Sequence, residues 1–274
     1  MNTWEDLDYW KSGEWQWVQE KLDEFDRAGV LYNPPRHLLF KSMDACPFDT
    51  VRVAIIGQDP YPSRGHATGI AFSIPESESN FPPTLVNIMD ELCSDLGVTF
   101  PSHGNLIDWC KQGVFLWNAT PSCTTGLPSS HCWEEWAALT AEVVKRLSEK
   151  PIDVFVFMGR YAQTFSKHIV GNHTDVGTVC NNVICTSHPS PLGYLKGNTP
   201  FKGSRVFSHI NSYLTTPIDW RLEDGPCDAK QVERLKQIAE KKASCETYEK
   251  ETQGLHEGIR AEASEDWSKP TPAS

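Results

Sequence analysis

The 274 residues are 39% hydrophobic, enough for a full core, and no apolar run reaches the about 18 residues that a membrane span needs. Lys and Arg total 25 against 36 Asp and Glu, a net charge of −11, and such an acidic balance speaks against a chain that coats nucleic acid. Phosphate affinity is local, however: a few cations and N–H groups in a groove suffice when the acids sit elsewhere. Here they crowd the start (Glu5, Asp6, Asp8, Glu20, Asp23, Glu24, Asp26) and the end, so any binding to nucleic acid is expected to be weak and salt-sensitive. The opening Met1-Asn2-Thr3-Trp4-Glu5-Asp6 has neither the basic nor the apolar region of a signal peptide. The 9 cysteines are scattered without a C-x-x-C pair, which predicts reduced, mostly buried thiols and a cytoplasmic or nuclear location.

Trp15, Val18, Leu22 and Phe25 recur at helical spacing before Gly29 and predict a helix over 14–28. Tyr32-Asn33-Pro34-Pro35 reads as an extended loop. Val51 to Ile56, rich in β-branched residues and closed by Gly57, has the pattern of a buried parallel strand. Pro82-Pro83-Thr84 opens a helix through Leu85, Ile88, Met89, Leu92 and Leu96, closed by Gly97. A second strand follows at Val114 to Asn118, then a helix from Trp133 to Lys145 whose apolar face is Trp136, Leu139, Val143, Val144 and Leu147. Asp153 to Met158 is a third strand, ending at Gly159 before a helix from Tyr161; Val179 to Thr186 is a fourth strand, and Gly203 to Tyr213 the last helix. This alternation predicts an α/β fold: three α/β/α layers around a central, mostly parallel four-stranded sheet. From Arg221 the chain turns polar and charged, with Val232, Leu235 and Ile238 marking one short helix. The expected organisation is a catalytic domain over 1–220 and a partly helical or disordered tail over 221–274.

Each predicted strand ends at a chemically distinctive residue: Asp59, Asn118, Gly159-Arg160 and His188. Open α/β sheets bind ligands outside the carboxyl ends of their strands, so these residues are expected to share one crevice. Pro60 keeps Asp59 out of helical geometry and stiffens the turn that carries it. Read singly, each residue also has a structural explanation: Asp59 as a turn cap, Asn118 as a turn former, His188 as a satisfied core histidine, and Tyr61 and Phe72 as core packing.

Gly57-Gln58-Asp59-Pro60-Tyr61 resembles the water-activating loop of the uracil-DNA glycosylases, and Ser187-His188-Pro189-Ser190-Pro191-Leu192 resembles their leucine loop, in the family's order. Gly69-Ile70-Ala71-Phe72-Ser73, Leu116-Trp117-Asn118-Ala119 and the closing Pro217-Ile218-Asp219-Trp220 extend the resemblance over about residues 4–220. It implies a monofunctional, metal- and cofactor-free glycosylase that flips uracil from DNA, single- or double-stranded, and hydrolyses its N-glycosidic bond. Such chemistry needs an anion near the oxocarbenium-like sugar, donors at the base oxygen and a pocket for one extruded base. The resemblance assigns Asp59 to water and sugar, His188 to uracil O2 as a neutral donor, and Asn118 to N3–H and O4. Tyr61 would exclude a thymine methyl, Phe72 would stack on the base, and Gln58 would lie beneath it. Pro82, Pro83, Thr84, Gly159, Arg160 and Ser190 would hold the phosphate backbone, with Leu192 as the wedge that enters the base stack. His131 resembles a further family position near the backbone, or is a solvated loop histidine.

Three positions depart from the family: Pro62 where histidine is usual, Arg160 where a small serine is usual, and a longer stretch from Gly193 to Pro200. The implied partners are uracil-containing DNA and a DNA-mimicking protein inhibitor, with a replication partner as a role for the tail; a monomer without membrane contact is expected. Two other readings stay open at this point: a glycosylase for another damaged base, and a non-catalytic DNA scaffold on the same fold.

Overall fold

The computed structural model describes residues 3–170 and 182–222. The chain divides into two compact units, Met1–Gly225 and Pro226–Ser274; the second, with the helix expected around Val232, lies outside the described residues.

In chain order the elements are α1 (Gly13–Ala28), β1 (Tyr32–Asn33), α2 (Lys41–Ala45), β2 (Val53–Gly57), α3 (Pro83–Leu96), α4 (Ile107–Lys111), β3 (Val114–Asn118), β4 (Cys123–Thr124), α5 (Glu134–Ser148), β5 (Val154–Met158), α6 (Arg160–Gln163), β6 (Asn182–Thr186) and α7 (Val206–Tyr213). The sheet runs β3-β2-β5-β6 with every pair parallel. All residues of β2, β3 and β5 are buried, as continuous apolar runs require when both faces are covered. β6 lies at the edge and is only partly buried. Helices α1 and α5 pack together, as do α3 and α7, which completes the three-layer α/β/α arrangement. Among the described residues no helix is long and apolar enough to cross a membrane.

Register is what builds the site. Gly57 stands level with Asn118, and Met158 with Thr186, so the carboxyl ends of the strands open on one side. Hydrogen bonds continue past the end of the β2–β3 pair, from Ala119 N–H to Gly57 O (3.1 Å) and from Thr120 N–H to Gln58 O (2.8 Å). The turn carrying Asp59 is therefore anchored rather than free.

Several boundaries move. β2 begins at Val53, because Val51 closes a 3-10 turn and the N–H groups of Arg52 and Val53 both donate to Gly113 O. α7 begins at Val206, because Arg205 is left-handed (φ 50°) and the N–H groups of Gly203 and Arg205 donate to the Glu91 carboxylate at 2.7 and 2.8 Å. The helix expected from Tyr161 is the short α6 followed by a 3-10 turn over Thr164–His168. The supposed loop at Tyr32 pairs instead with Cys123–Thr124 as a small antiparallel ribbon. The start expected for the fourth strand, at Val179 and Cys180, lies outside the described residues. Of the described cysteines, all free, Cys46, Cys110 and Cys123 are buried while Cys132 is exposed.

Candidate active site

Gly57 ends β2 against two of the expected base-binding side chains. A Cβ on it would lie 2.7 Å from Phe72 Cζ and 3.0 Å from Asn118 Oδ1, so only a glycine lets ring and amide approach this closely. Phe72 and Asn118 are each 8% exposed, and Phe72 takes a left-handed backbone (φ 66°) that a bulky residue adopts only when its surroundings enforce it. The Tyr61 hydroxyl donates to Phe72 O at 2.9 Å, which ties the two aromatics into one wall. Gly57→Ala is expected to lower the melting temperature modestly, by overpacking the strand end, and to lower kcat/KM by about 10-fold to 100-fold through misplacement of ring and amide. Unchanged kcat/KM in a steady-state assay would remove this packing argument.

His188 is fixed by its own loop. Ser190 N–H donates to His188 Nδ1 at 3.1 Å, which makes Nδ1 the acceptor and leaves Nε2 to carry the proton of the neutral ring. Burial lowers its pKa to about 4, so the ring is neutral across the physiological range. Gly159 (φ 95°) and Gly193 flank it: a Cβ on Gly159 would lie 3.0 Å from His188 Cβ, and one on Gly193 only 2.4 Å from His188 O. The His188 ring lies 6.3 Å from Phe72, on the same side of the sheet as Gly57 and Asn118.

Asp59 is half-buried, and burial raises its pKa above the usual carboxylate range. That rise is opposed by Ser129 N–H, which donates to Asp59 Oδ2 at 2.7 Å, and by Asp59's own backbone. Gln58 donates its side-chain N–H to Ser129 Oγ at 2.7 Å, so Gln58 and Asp59 hold the same residue of the loop before α5. The Pro62 carbonyl accepts from Gly126 N–H (2.9 Å) and Asn33 Nδ2 (2.8 Å). The departure at this position thus coincides with a doubly anchored turn.

The structure brings together a carboxylate, a neutral imidazole with Nε2–H free to donate, a primary amide and two aromatic rings at the end of a parallel sheet. The sequence model of the uracil DNA glycosylase superfamily matches residues 43–215. This chain belongs to that superfamily. Uracil-DNA glycosylase of Campylobacter curvus is 40% identical over 212 residues, covering 76% of this chain and 86% of that protein. Its counterpart in Coxiella burnetii is 38% identical over 216 residues, covering 76% and 90%. Among solved structures, mimivirus UNG Y322F in complex with UGI superposes with a TM-score of 0.69 at 26% identity, covering 78% of this chain and 86% of that one.

The remaining candidate residues of this superfamily member lie on α3, α6 and the turn after His188. Pro82 is buried before α3, Pro83 is exposed and Thr84 half-buried in its first turn. Arg160 is exposed at the start of α6, beside Gly159. Ser190 spends its N–H on His188, and its carbonyl accepts from Gly193 and Tyr194. Leu192 is 73% exposed at the tip of that turn.

Sequence reasoning missed what holds the turn. Asn87, on the buried face of α3, donates to Pro189 O at 2.7 Å, and Asp90 accepts from the Tyr194 hydroxyl at 2.8 Å. Glu91 takes Gly203 and Arg205, and Asp95 takes Ser208 N–H at 2.8 Å. The signal available was a polar stripe at helical spacing through an otherwise apolar helix. The longer segment after Leu192 closes on itself, with Ser187 N–H donating to Thr199 O and Lys202 N–H to Tyr194 O. His131 is no solvated loop histidine: it is 1% exposed, because Ser122 and Thr124 take its ring nitrogens and Trp133 stacks on it at 4.2 Å.

Proposed function

We propose that this chain flips deoxyuridine out of DNA and hydrolyses its N-glycosidic bond, leaving an abasic site, with residues 1–220 as the catalytic unit. The observation that carries the reading is the fixed His188 tautomer, a neutral Nε2–H donor in the same crevice as the Asn118 amide. As the bond breaks, negative charge grows on uracil O2, where Nε2–H donates most strongly. Asn118 meets N3–H and O4 with an acceptor and a donor, a pairing that cytosine reverses. Phe72 stacks on the ring, Tyr61 fills the space of a C5 methyl, and Gln58 presents its backbone N–H beneath the base. Asp59 holds the attacking water with the oxygen not used by Ser129, and its charge stabilises the oxocarbenium-like sugar.

On the DNA, Pro82, Pro83, Thr84, Gly159, Arg160 and Ser190 bear on phosphates, and exposed Arg160, Lys196, Lys202 and Arg205 supply local positive charge to an acidic chain. A DNA-mimicking protein inhibitor would compete for the same mouth; the solved mimivirus relative in complex with UGI supports that expectation. The rival of another damaged base is disfavoured by the Tyr61–Phe72 wall, and a pure scaffold has no use for a neutral histidine donor beside that wall.

Release of free uracil from an oligonucleotide with one deoxyuridine, at low salt with EDTA, tests the activity. Rapid release confined to uracil supports it; release of another base or of none overturns it. Leu192→Ala is expected to slow duplex turnover by about 10-fold or more and single-strand turnover by less, because only a duplex must be unstacked. Equal losses on both substrates would end the wedge role.

A further inference from the structure

The loop between β4 and α5 carries the N–H group that holds Asp59, and its shape is set from behind. Its crest is Ser129, a non-glycine residue with φ 59°, a left-handed conformation that must be enforced by neighbours. Next in sequence, the Ser130 hydroxyl donates to Leu127 O and accepts Thr124 N–H, both at 2.8 Å. His131 then locks the base of the loop to the strand from which it left, with Nδ1 2.8 Å from Ser122 Oγ and Nε2 2.9 Å from Thr124 Oγ1. Trp136 donates its indole N–H to the same Ser122 oxygen at 2.9 Å, which ties the His131 cluster to the first turn of α5. Burial keeps the ring neutral, so one ring nitrogen donates and the other accepts within the cluster.

We propose that His131 is a positioning residue for Asp59: it buckles the Ser122–His131 loop so that Ser129 N–H captures Oδ2 and leaves the other carboxylate oxygen for water. The inference rests on the reading of Asp59 as the water-holding carboxylate. The hydrogen bonds of the His131 ring go to Ser122 and Thr124, and its effect passes through Ser129, which both Asp59 and Gln58 hold. The titratable groups beside Asp59 are Cys123, Cys132 and Tyr161, each pushed up by burial and so neutral. With neutral neighbours, the Ser129 N–H is the principal contact that opposes the burial of the carboxylate. Loosening the loop therefore costs Asp59 both its orientation and part of its acidity.

The test is kcat and KM on a single-stranded deoxyuridine oligonucleotide, across pH, for His131→Ala, His131→Asn and Thr124→Val. Single-stranded substrate keeps the Leu192 wedge out of the measurement. For His131→Ala the expected result is a kcat lowered about 10-fold or more with KM within about 2-fold, and an acidic limb of kcat moved to higher pH by about half a unit or more. His131→Asn, which still reaches Ser122, restores part of both, and Thr124→Val gives a smaller shift of the same sign. Activity loss in folded variants without movement of the acidic limb, or unchanged kcat, overturns the proposal. If His131→Ala does not fold, the near-isosteric Thr124→Val decides. Asp59→Asn runs alongside: full activity there would sink the reading of Asp59 itself, whereas its inactivity with unmoved limbs in the other variants would sink only the loop proposal.

Discussion

Asp59→Asn is expected to slow uracil release from a single-stranded oligonucleotide by about 10²- to 10⁴-fold while Kd for that oligonucleotide stays within about 3-fold. The substitution is nearly isosteric, and the new amide oxygen can still accept Ser129 N–H, now at 2.7 Å from Oδ2. The group turned toward the water is then an NH₂, which donates where an acceptor is needed and carries no charge to balance the sugar. Single-turnover rates with trapped DNA separate this from a binding defect. A variant with the native rate would place the water elsewhere. Because burial raises the pKa of Asp59, native activity is also expected to fall on the acid side at a pH above the usual carboxylate range.

His188→Ala is the second large effect, with an expected loss of about 10²- to 10³-fold in kcat, the scale for one preorganised donor at a developing oxyanion. A neutral donor with a pKa near 4 leaves native activity intact as pH rises through 7, whereas an imidazolium donor would be lost above that pKa. The same residue couples pH to stability. Its folded pKa lies below its ordinary 6.5, so the unfolded chain binds the proton more readily. Its contribution is fully present above about 6.5 and is lost as pH falls toward 4, and His131, also lowered to about 4, acts in the same sense. Melting temperatures at pH 7 and pH 4.5 should therefore differ less in His188→Ala than in the native chain. An equal difference in both would mean that the ring titrates normally.

The residues explain why some of this was legible in the sequence. Val53–Gly57, Val114–Asn118 and Val154–Met158 are buried on both faces, and such strands announce themselves as unbroken apolar runs. β1 and β4 have two residues each, too few for any periodicity, so the ribbon at Tyr32 was invisible. The polar stripe of α3 was present in the sequence, but its partners are distant in the chain: Pro189 is 102 residues from Asn87 and Tyr194 is 104 from Asp90. The burial of His131, which the family resemblance alone singled out, left no mark in the sequence, because serine and threonine partners look the same in a solvated loop as in a buried cluster. Ser129 acts on Asp59 through a backbone N–H, which every residue but proline possesses.

Helix α3 begins at Pro83 and Thr84 and, along its length, grips the segment that carries Leu192. The start of α3 and the Leu192 turn thus belong to one stiff strut, and if they bear on phosphate and base stack as proposed, the span between those contacts is set by the fold. On that reading accommodation falls to the nucleic acid, whose backbone would shorten or bend to bridge the span. Lesions set in easily kinked pyrimidine–purine steps are then expected to be processed ahead of those in rigid A-tracts.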